Sequence, residues 1–263
     1  MLPKYFKPEK EYDLTRLGQD NDGGYLVEKK SIENSKSLIT LGLGYDWSFE
    51  KDYYNFTKNP IFCYDHTVNY SSVKKLCRKY LASYFFRIFK PKYVLKKNFF
   101  KHLVKNIFLY KDYKKFFLKN AKHIETRIGS GKGGTKLDKI LEDKKNIFPI
   151  FLKIDIEGSE YRIFDEILKY QENFTGLAIE LHDVDLHLDK IKIFFDNLKM
   201  KLVHIHPQNP AFVTENNIPT QLELTFAKNP NPIGPIAKIP NKLDQPANPS
   251  FPEIQLRIEK SSN

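Results

Sequence analysis

The chain has 263 residues, of which 41% are hydrophobic and 29% charged, with 43 Lys/Arg against 32 Asp/Glu and a formal charge of +11. That composition excludes a disordered chain, and no run approaches the roughly 18 uncharged apolar residues of a membrane-spanning helix, so one soluble α/β-sized domain with an appendage is expected. Cys63 and Cys77 are too few to staple a secreted domain, and residues 1–10 lack the apolar centre of a signal peptide, which makes a reducing cytoplasm the expected compartment.

In chain order, residues 37–43 (SLITLGL) and 61–64 (IFCY) are short apolar runs that read as two buried strands. Between Lys74 and Lys122 stand sixteen Lys/Arg and a single acid, Asp112, a charge of +15 that leaves −4 for the rest of the chain. The basicity therefore belongs to one block. Leu81, Phe85, Ile88 and Phe89 recur at helical spacing there, which predicts two or three basic amphipathic helices broken near Pro91. Residues 123–128 follow as a third strand and residues 150–156 (IFLKIDI) as a fourth. Residues 176–181, 201–206 and 222–227 are the fifth to seventh. Ile163, Phe164, Ile167 and Leu168 mark a helical face between the fourth and fifth strands. Ile191, Phe194, Phe195 and Leu198 mark another between the fifth and sixth. Strands alternating with helices predict a mostly parallel sheet covered on both faces, with ligands at the carboxyl ends of the strands. Seven prolines after residue 227 predict an extended tail, with an edge strand at 254–258.

Gly42 and Gly44 lie where the first strand turns toward a helix, a place where glycines let backbone N–H groups approach a ligand. Asp65, about twenty residues on at the end of the second strand, stands where a carboxylate accepts hydrogen bonds from two ribose hydroxyls. A dinucleotide site carries a third glycine where this chain has Trp47, which argues against NAD and for a nucleoside lacking a pyrophosphate. Asp46 or a nearby backbone group then meets a ligand ammonium. The bland alternative is an ordinary strand turn with an incidental glycine pair.

Residues 152–160 (LKIDIEGSE) resemble the signature of FkbM-type class I methyltransferases. Asp22-Gly23-Gly24-Tyr25, Leu41-Gly42-Leu43-Gly44, Thr135-Lys136-Leu137-Asp138, Ile179-Glu180-Leu181-His182 and His204-Ile205-His206 are similar to further segments of that family and its relatives. The resemblance spans roughly residues 16–68 and 123–227 and leaves the basic block outside it. It implies a Rossmann-like α/β sheet of about seven strands with the last antiparallel, S-adenosylmethionine as methyl donor, and an O-methylated sugar or natural-product hydroxyl. The expected organisation is a cofactor-binding domain at 1–68 and 123–227, a basic helical insert or lid at 69–122, and a proline-rich tail at 228–263 packed on the domain.

Methyl transfer from a sulfonium is an in-line displacement, so the protein mainly positions an acceptor oxygen and takes its proton. Asp155 and His182 are expected at the reacting centre, with His182 as base because its ordinary pKa is near neutrality. Gly42, Gly44, Asp46 and Asp65 are expected to hold the cofactor, with Tyr25 as a further candidate. The competing roles are structural: Asp155 as cap of a helix starting near Ser159, Glu157 and Glu160 as partners of its dipole, and one of His204 and His206 as a hydrogen-bonded core residue. A divalent metal held by Asp155, Glu180, His182 and His206 is a minority reading, as no tight ligand spacing supports it. The basic block suits an anionic, phosphorylated or nucleotide-linked sugar, or an anionic membrane surface where polysaccharide precursors are assembled. RNA is the less favoured partner, because no nucleic-acid-binding module is recognisable. The structural alternative for the block is an amphipathic cover with aromatics inward and lysines solvated. The other functions weighed are a nucleic-acid methyltransferase and a non-catalytic membrane-surface protein on the same scaffold.

Overall fold

The computed structural model describes residues 1–88, 97–129 and 133–259. The helix break at Pro91 and the last residue of the predicted apolar spacing, Phe89, lie outside them. The chain opens with β1 (Glu11–Tyr12) and a hairpin of β2 (Leu14–Leu17) and β3 (Tyr25–Glu28), then α1 (Lys29–Glu33) and β4 (Ser37–Leu41). Next come α2 (Ser48–Thr57), β5 (Ile61–Tyr64), α3 (Tyr70–Ile88), α4 (Lys97–Lys119) and β6 (Ala121–Ile124). Short strands β7 (Arg127–Ile128) and β8 (Gly134–Thr135) precede α5 (Leu137–Asp143), β9 (Ile150–Ile154), α6 (Phe164–Tyr170), β10 (Phe174–Leu181) and α7 (Leu188–Asn197). Then follow β11 (Lys201–Pro207), β12 (Leu222–Ala227) and β13 (Pro232–Gly234).

Seven of these strands form one sheet in the order β11-β12-β10-β9-β4-β5-β6. β12 runs antiparallel to both its neighbours and the other pairings are parallel. This is the Rossmann-like α/β sheet the resemblance implied. Its strands are continuous apolar runs because helices cover both faces. Alternation divides each strand between two cores. Ile39, Leu152 and Ile154 point to the side of α5, α6 and α7, where Ile140, Ile167 and Phe194 meet them. Leu38, Cys63 and Phe151 point to the other side, against Trp47, Phe49 and Tyr53 of the α2 region and Tyr113 and Phe116 of α4. The C-terminal half of α4 is an amphipathic cover: Tyr113 and Phe116 are buried while Lys114, Lys115 and Lys119 are exposed. Among the described residues no helix is long and apolar enough to cross a membrane.

Three expectations change. The third strand stops at Ile124 and residues 127–128 pair with β8 instead. Residues 254–258 form no strand, only the isolated bridge Leu2↔Ile258; the strand of the tail is β13, which pairs antiparallel with β1. No helix starts at Ser159. A 3-10 turn covers Glu160–Arg162 and α6 begins at Phe164, so Asp155 caps nothing.

The tail is tied across the β11 side of the sheet. His204 Nε2 and Asp244 Oδ1 are 2.8 Å apart, and both side chains are only 6% exposed. Ala247 accepts a hydrogen bond from Asp22 N, and Gln245 accepts one from Asn21 N. Burial pushes the Asp244 carboxyl up, but the His204 hydrogen bond and charge outweigh it and hold it below its ordinary value. Breaking one partner of such a buried pair costs about 3 kcal/mol, so Asp244→Ala is expected to lower stability by that amount. It should also speed protease cleavage within residues 245–253, which limited proteolysis read by mass spectrometry checks.

Candidate functional site

From β4 the sheet builds outward to β5 and β6 on one side and to β9 and β10 on the other. A ligand crevice opens at the carboxyl ends of strands flanking such a reversal, and here it has a volume of about 310 Å³. Its walls are the loop after β4 (Leu43, Gly44, Asp46), the tip of β5 (Asp65, Thr67), Arg127 of β7, and the end of β9 (Lys153, Asp155, Glu157). The β2–β3 turn closes one end with Asp22 and Gly23.

The two glycines serve different ends. Gly42 has φ +83°, and a Cβ there would lie 1.5 Å from the Asp155 carbonyl oxygen. Its N–H donates to the Tyr64 carbonyl. Gly42 thus permits the close approach of β4 to the end of β9 and offers no N–H to a ligand, contrary to the expectation. Gly44, at φ +59°, faces open space, with no atom within 4 Å of the place a Cβ would take. Its N–H and that of Leu43 donate to Asp65 Oδ2 at 2.9 and 2.8 Å.

Asp65 accepts a second pair of bonds at Oδ1, from Thr67 N at 2.6 Å and Thr67 Oγ1 at 2.7 Å. These oxygens are the expected ribose partners; in the structure all four lone-pair directions are engaged by the protein. Burial raises the Asp65 carboxyl, but the Thr67 hydroxyl and the loop N–H groups together hold it below its ordinary value. Asp46 reaches the crevice while its Oδ1 accepts from Ser48 N, in the turn that leads into α2, at 2.9 Å. Tyr25 does not reach it. Its ring is fully buried, its hydroxyl donates to Glu180 at 3.1 Å and lies 3.4 Å from Asp155, and the Lys153 ammonium sits 4.9 Å from its centroid. It supports the floor of the site from below. Lys153 is buried too; desolvation disfavours its charge, but Glu50, Asp155 and Glu180 outweigh that and raise its pKa.

Parallel register sets Ile154 beside Ile179, so Asp155, Glu180 and His182 extend from adjacent strand ends on one face. Glu180 is pushed up to about 8 by burial first and by the Asp155 charge second. His182 is desolvated, yet the Glu160 hydrogen bond and the Glu180 charge prevail and lift it to about 9. That lift favours the charged imidazolium and makes His182 a poorer proton acceptor than expected of a general base. His182 also lies behind the crevice wall rather than on it. Of the acids near His182, Asp155 and Glu157 line the crevice, as do Asp22, Asp46 and Asp65 elsewhere on its wall.

The expected metal quartet does not form. Glu180, Glu223 and His206 lie in a row across β10, β12 and β11, which puts His206 roughly 10 Å from Glu180 at ordinary strand spacing. His206 is lowered to about 4, chiefly by burial, and Glu223 is raised well above its ordinary value by burial and by Glu180. Both belong to the buried seam under the tail. In place of His206 the structure brings in Glu157, expected only as a partner of a helix dipole. Glu160 is fully buried, accepting from Ile156 N and Gly158 N and facing His182. Glu157, Lys153 and Asp22 are the site residues that sequence reasoning misses. Lys153, Asp155 and Glu157 alternate within residues 152–160, and that parity is the signal that could find Lys153 and Glu157.

No family model and no curated protein matches the chain. Among solved structures it is similar to the fibrillarin/Nop5p complex, with 8% identity over 74% of this chain and 73% of that one and a TM-score of 0.37. It is similar to the METTL16 MTase domain, with 10% identity, 76% and 62% coverage and a TM-score of 0.41. It is also similar to M. jannaschii TYW2 in complex with AdoMet, with 8% identity, 83% and 94% coverage and a TM-score of 0.32. The chain spans less than two thirds of the METTL16 domain. Likenesses of this size assign neither a substrate nor a residue role to this chain.

Proposed function

We propose that the chain is an S-adenosylmethionine-dependent O-methyltransferase. The observation that carries this reading is the chemistry of the crevice. In a pyrophosphate site the glycine loop points its N–H groups at phosphate. Here Asp65 takes the Leu43 and Gly44 N–H groups, so the loop has no anion cradle. The opposite end of the crevice is lined by Asp22, Asp46, Asp155 and Glu157. That end attracts a cation, and S-adenosylmethionine carries both a sulfonium and an ammonium. In this reading Asp65 stays the ribose partner, exchanging its Thr67 hydroxyl bond for a ribose hydroxyl. Gly44 leaves room beside it, and Asp46 and Asp22 take the ammonium. The resemblance of residues 152–160 to the FkbM-type segment agrees with that placement.

Asp155 faces the acceptor and takes its proton, the role His182 does not fill. Positioning supplies roughly 7 to 11 kcal/mol in favourable cases and a general base about 10² to 10⁴ in rate. Asp155→Asn is therefore expected to lower turnover by about 10² or more while binding of S-adenosylhomocysteine is retained. Calorimetry and transfer of an isotope-labelled methyl group read the two quantities separately.

For the acceptor, the charge of residues 69–122 favours an anionic hydroxyl compound, a phosphorylated or nucleotide-linked sugar, reached from the α3–α4 side. A groove of about 430 Å³ lined by Lys51, Lys111, Lys115 and Phe108 shares Tyr45 and Asp46 with the crevice. An RNA acceptor is the second reading, resting on the same sixteen basic residues. Mass spectrometry of nucleotide sugars incubated with the chain and labelled donor tests the first. An affinity falling steeply with salt, as counterion release demands, marks the second.

A further inference from the structure

We propose that Asp155, Glu157 and His182 form a divalent-cation site beside the acceptor end of the crevice. One ligand atom from each of the three lies within 4.8 Å of the others. Glu157 Oε2 stands 3.5 Å from His182 Nε2, too long for a good hydrogen bond and the edge expected between two ligands that each stand about 2.1 Å from a shared ion. Glu180 Oε1, 3.6 Å from the same nitrogen, backs the site from its buried side.

A second, independent feature is the other ring nitrogen. His182 Nδ1 lies 3.3 Å from Glu160 Oε1, and Glu160 is fully buried and anchored by Ile156 N and Gly158 N. A carboxylate fixed behind a histidine in this way holds the proton on Nδ1, so an ion arriving at Nε2 displaces only the proton there and meets the lone pair, the arrangement that orients metal-ligating histidines. One imidazole with two carboxylates suits Mn²⁺ and its oxygen-preferring neighbours better than a thiolate-seeking ion. Two charges on the cation offset carboxylates that a single imidazolium leaves in excess. If the methyltransferase reading holds, on which this role rests, the cation would bind the acceptor hydroxyl beside Asp155 and ease loss of its proton.

Mn²⁺ titrated into the EDTA-stripped, desalted full chain, with free aqueous Mn²⁺ followed by electron paramagnetic resonance, tests the site. One ion per chain is expected to bind. Glu157→Gln is solvent-exposed and carries little folding risk, and it should weaken binding at least about tenfold, as should His182→Gln. His206→Gln should bind as the parent does. Mn²⁺ that stays free up to millimolar concentration, or that binds equally to Glu157→Gln and His182→Gln, overturns the site. Calorimetry with S-adenosylhomocysteine on the same samples separates the two claims. Nucleoside binding without Mn²⁺ binding removes the cation alone, whereas Mn²⁺ binding without nucleoside binding keeps the site and removes the methyltransferase reading.

Discussion

Gly42→Ala is expected to destabilise the chain by about 3 to 5 kcal/mol and to abolish nucleoside binding. Two costs add. A non-glycine residue at φ +83° carries about 1 to 3 kcal/mol of backbone strain, and forcing a methyl group into packed surroundings typically adds about 1 to 3 kcal/mol. The obstructing atom is the Asp155 carbonyl oxygen, part of the backbone, so no side-chain rotation relieves the clash. The two central strands must part at their carboxyl ends. Asp155 N also donates to the Leu41 carbonyl at 2.8 Å, and that bond stretches with them. Gly44→Ala is the matched control. Its φ of +59° with open space costs only about 1 to 2 kcal/mol, but its methyl group projects into the crevice and weakens nucleoside binding. Urea unfolding and calorimetry on both variants check the pair. A Gly42→Ala chain within about 1 kcal/mol of the parent would show that the strand ends are not as close as described.

Asp65→Ala is expected to cost about 3 kcal/mol and to lower nucleoside affinity by more than about tenfold, since it strands three backbone N–H groups in a crevice wall that only partly admits water. Its pH signature has a definite sign. The folded carboxyl titrates below its ordinary value, so the unfolded chain binds this proton more readily than the folded one. The stabilisation is complete above the ordinary carboxylate pKa and is lost as pH falls through the depressed folded value. The parent chain should therefore lose stability on acidification below about pH 4 more steeply than Asp65→Asn. Denaturant midpoints measured from about pH 6 to 3 on both chains test this. Parallel curves would mean that Asp65 does not hold the loop as a carboxylate.

Much of the architecture is legible from local pattern. The apolar runs at 37–43, 61–64, 150–156, 176–181, 201–206 and 222–227 are strands within two residues of their expected bounds, because a strand covered on both faces needs an unbroken apolar stretch. The helical faces around Ile167 and Phe194 are legible for the matching reason, a period near 3.6. The β2–β3 hairpin is not. Leu14 to Leu17 and Tyr25 to Glu28 are short, and what makes them strands is their mutual pairing and the packing of β3 over β12.

The site divides the same way. Strand parity and position put Asp65, Asp155 and His182 at the carboxyl ends of the sheet, and the missing third glycine points away from a pyrophosphate ligand. Those inferences need only the chain's own periodicity and turn chemistry. The state of each group depends on its neighbours in space. His182 is pushed toward its charged form because Glu160, held under a turn twenty-two residues earlier, hydrogen-bonds the ring. Asp65 is occupied because Leu43 and Gly44 turn back to it. His206 is cut off from Glu180 because β12 enters between β10 and β11. Protonation, lone-pair occupancy and convergence are set by distance and desolvation, and these arise only when segments far apart in the chain are packed together.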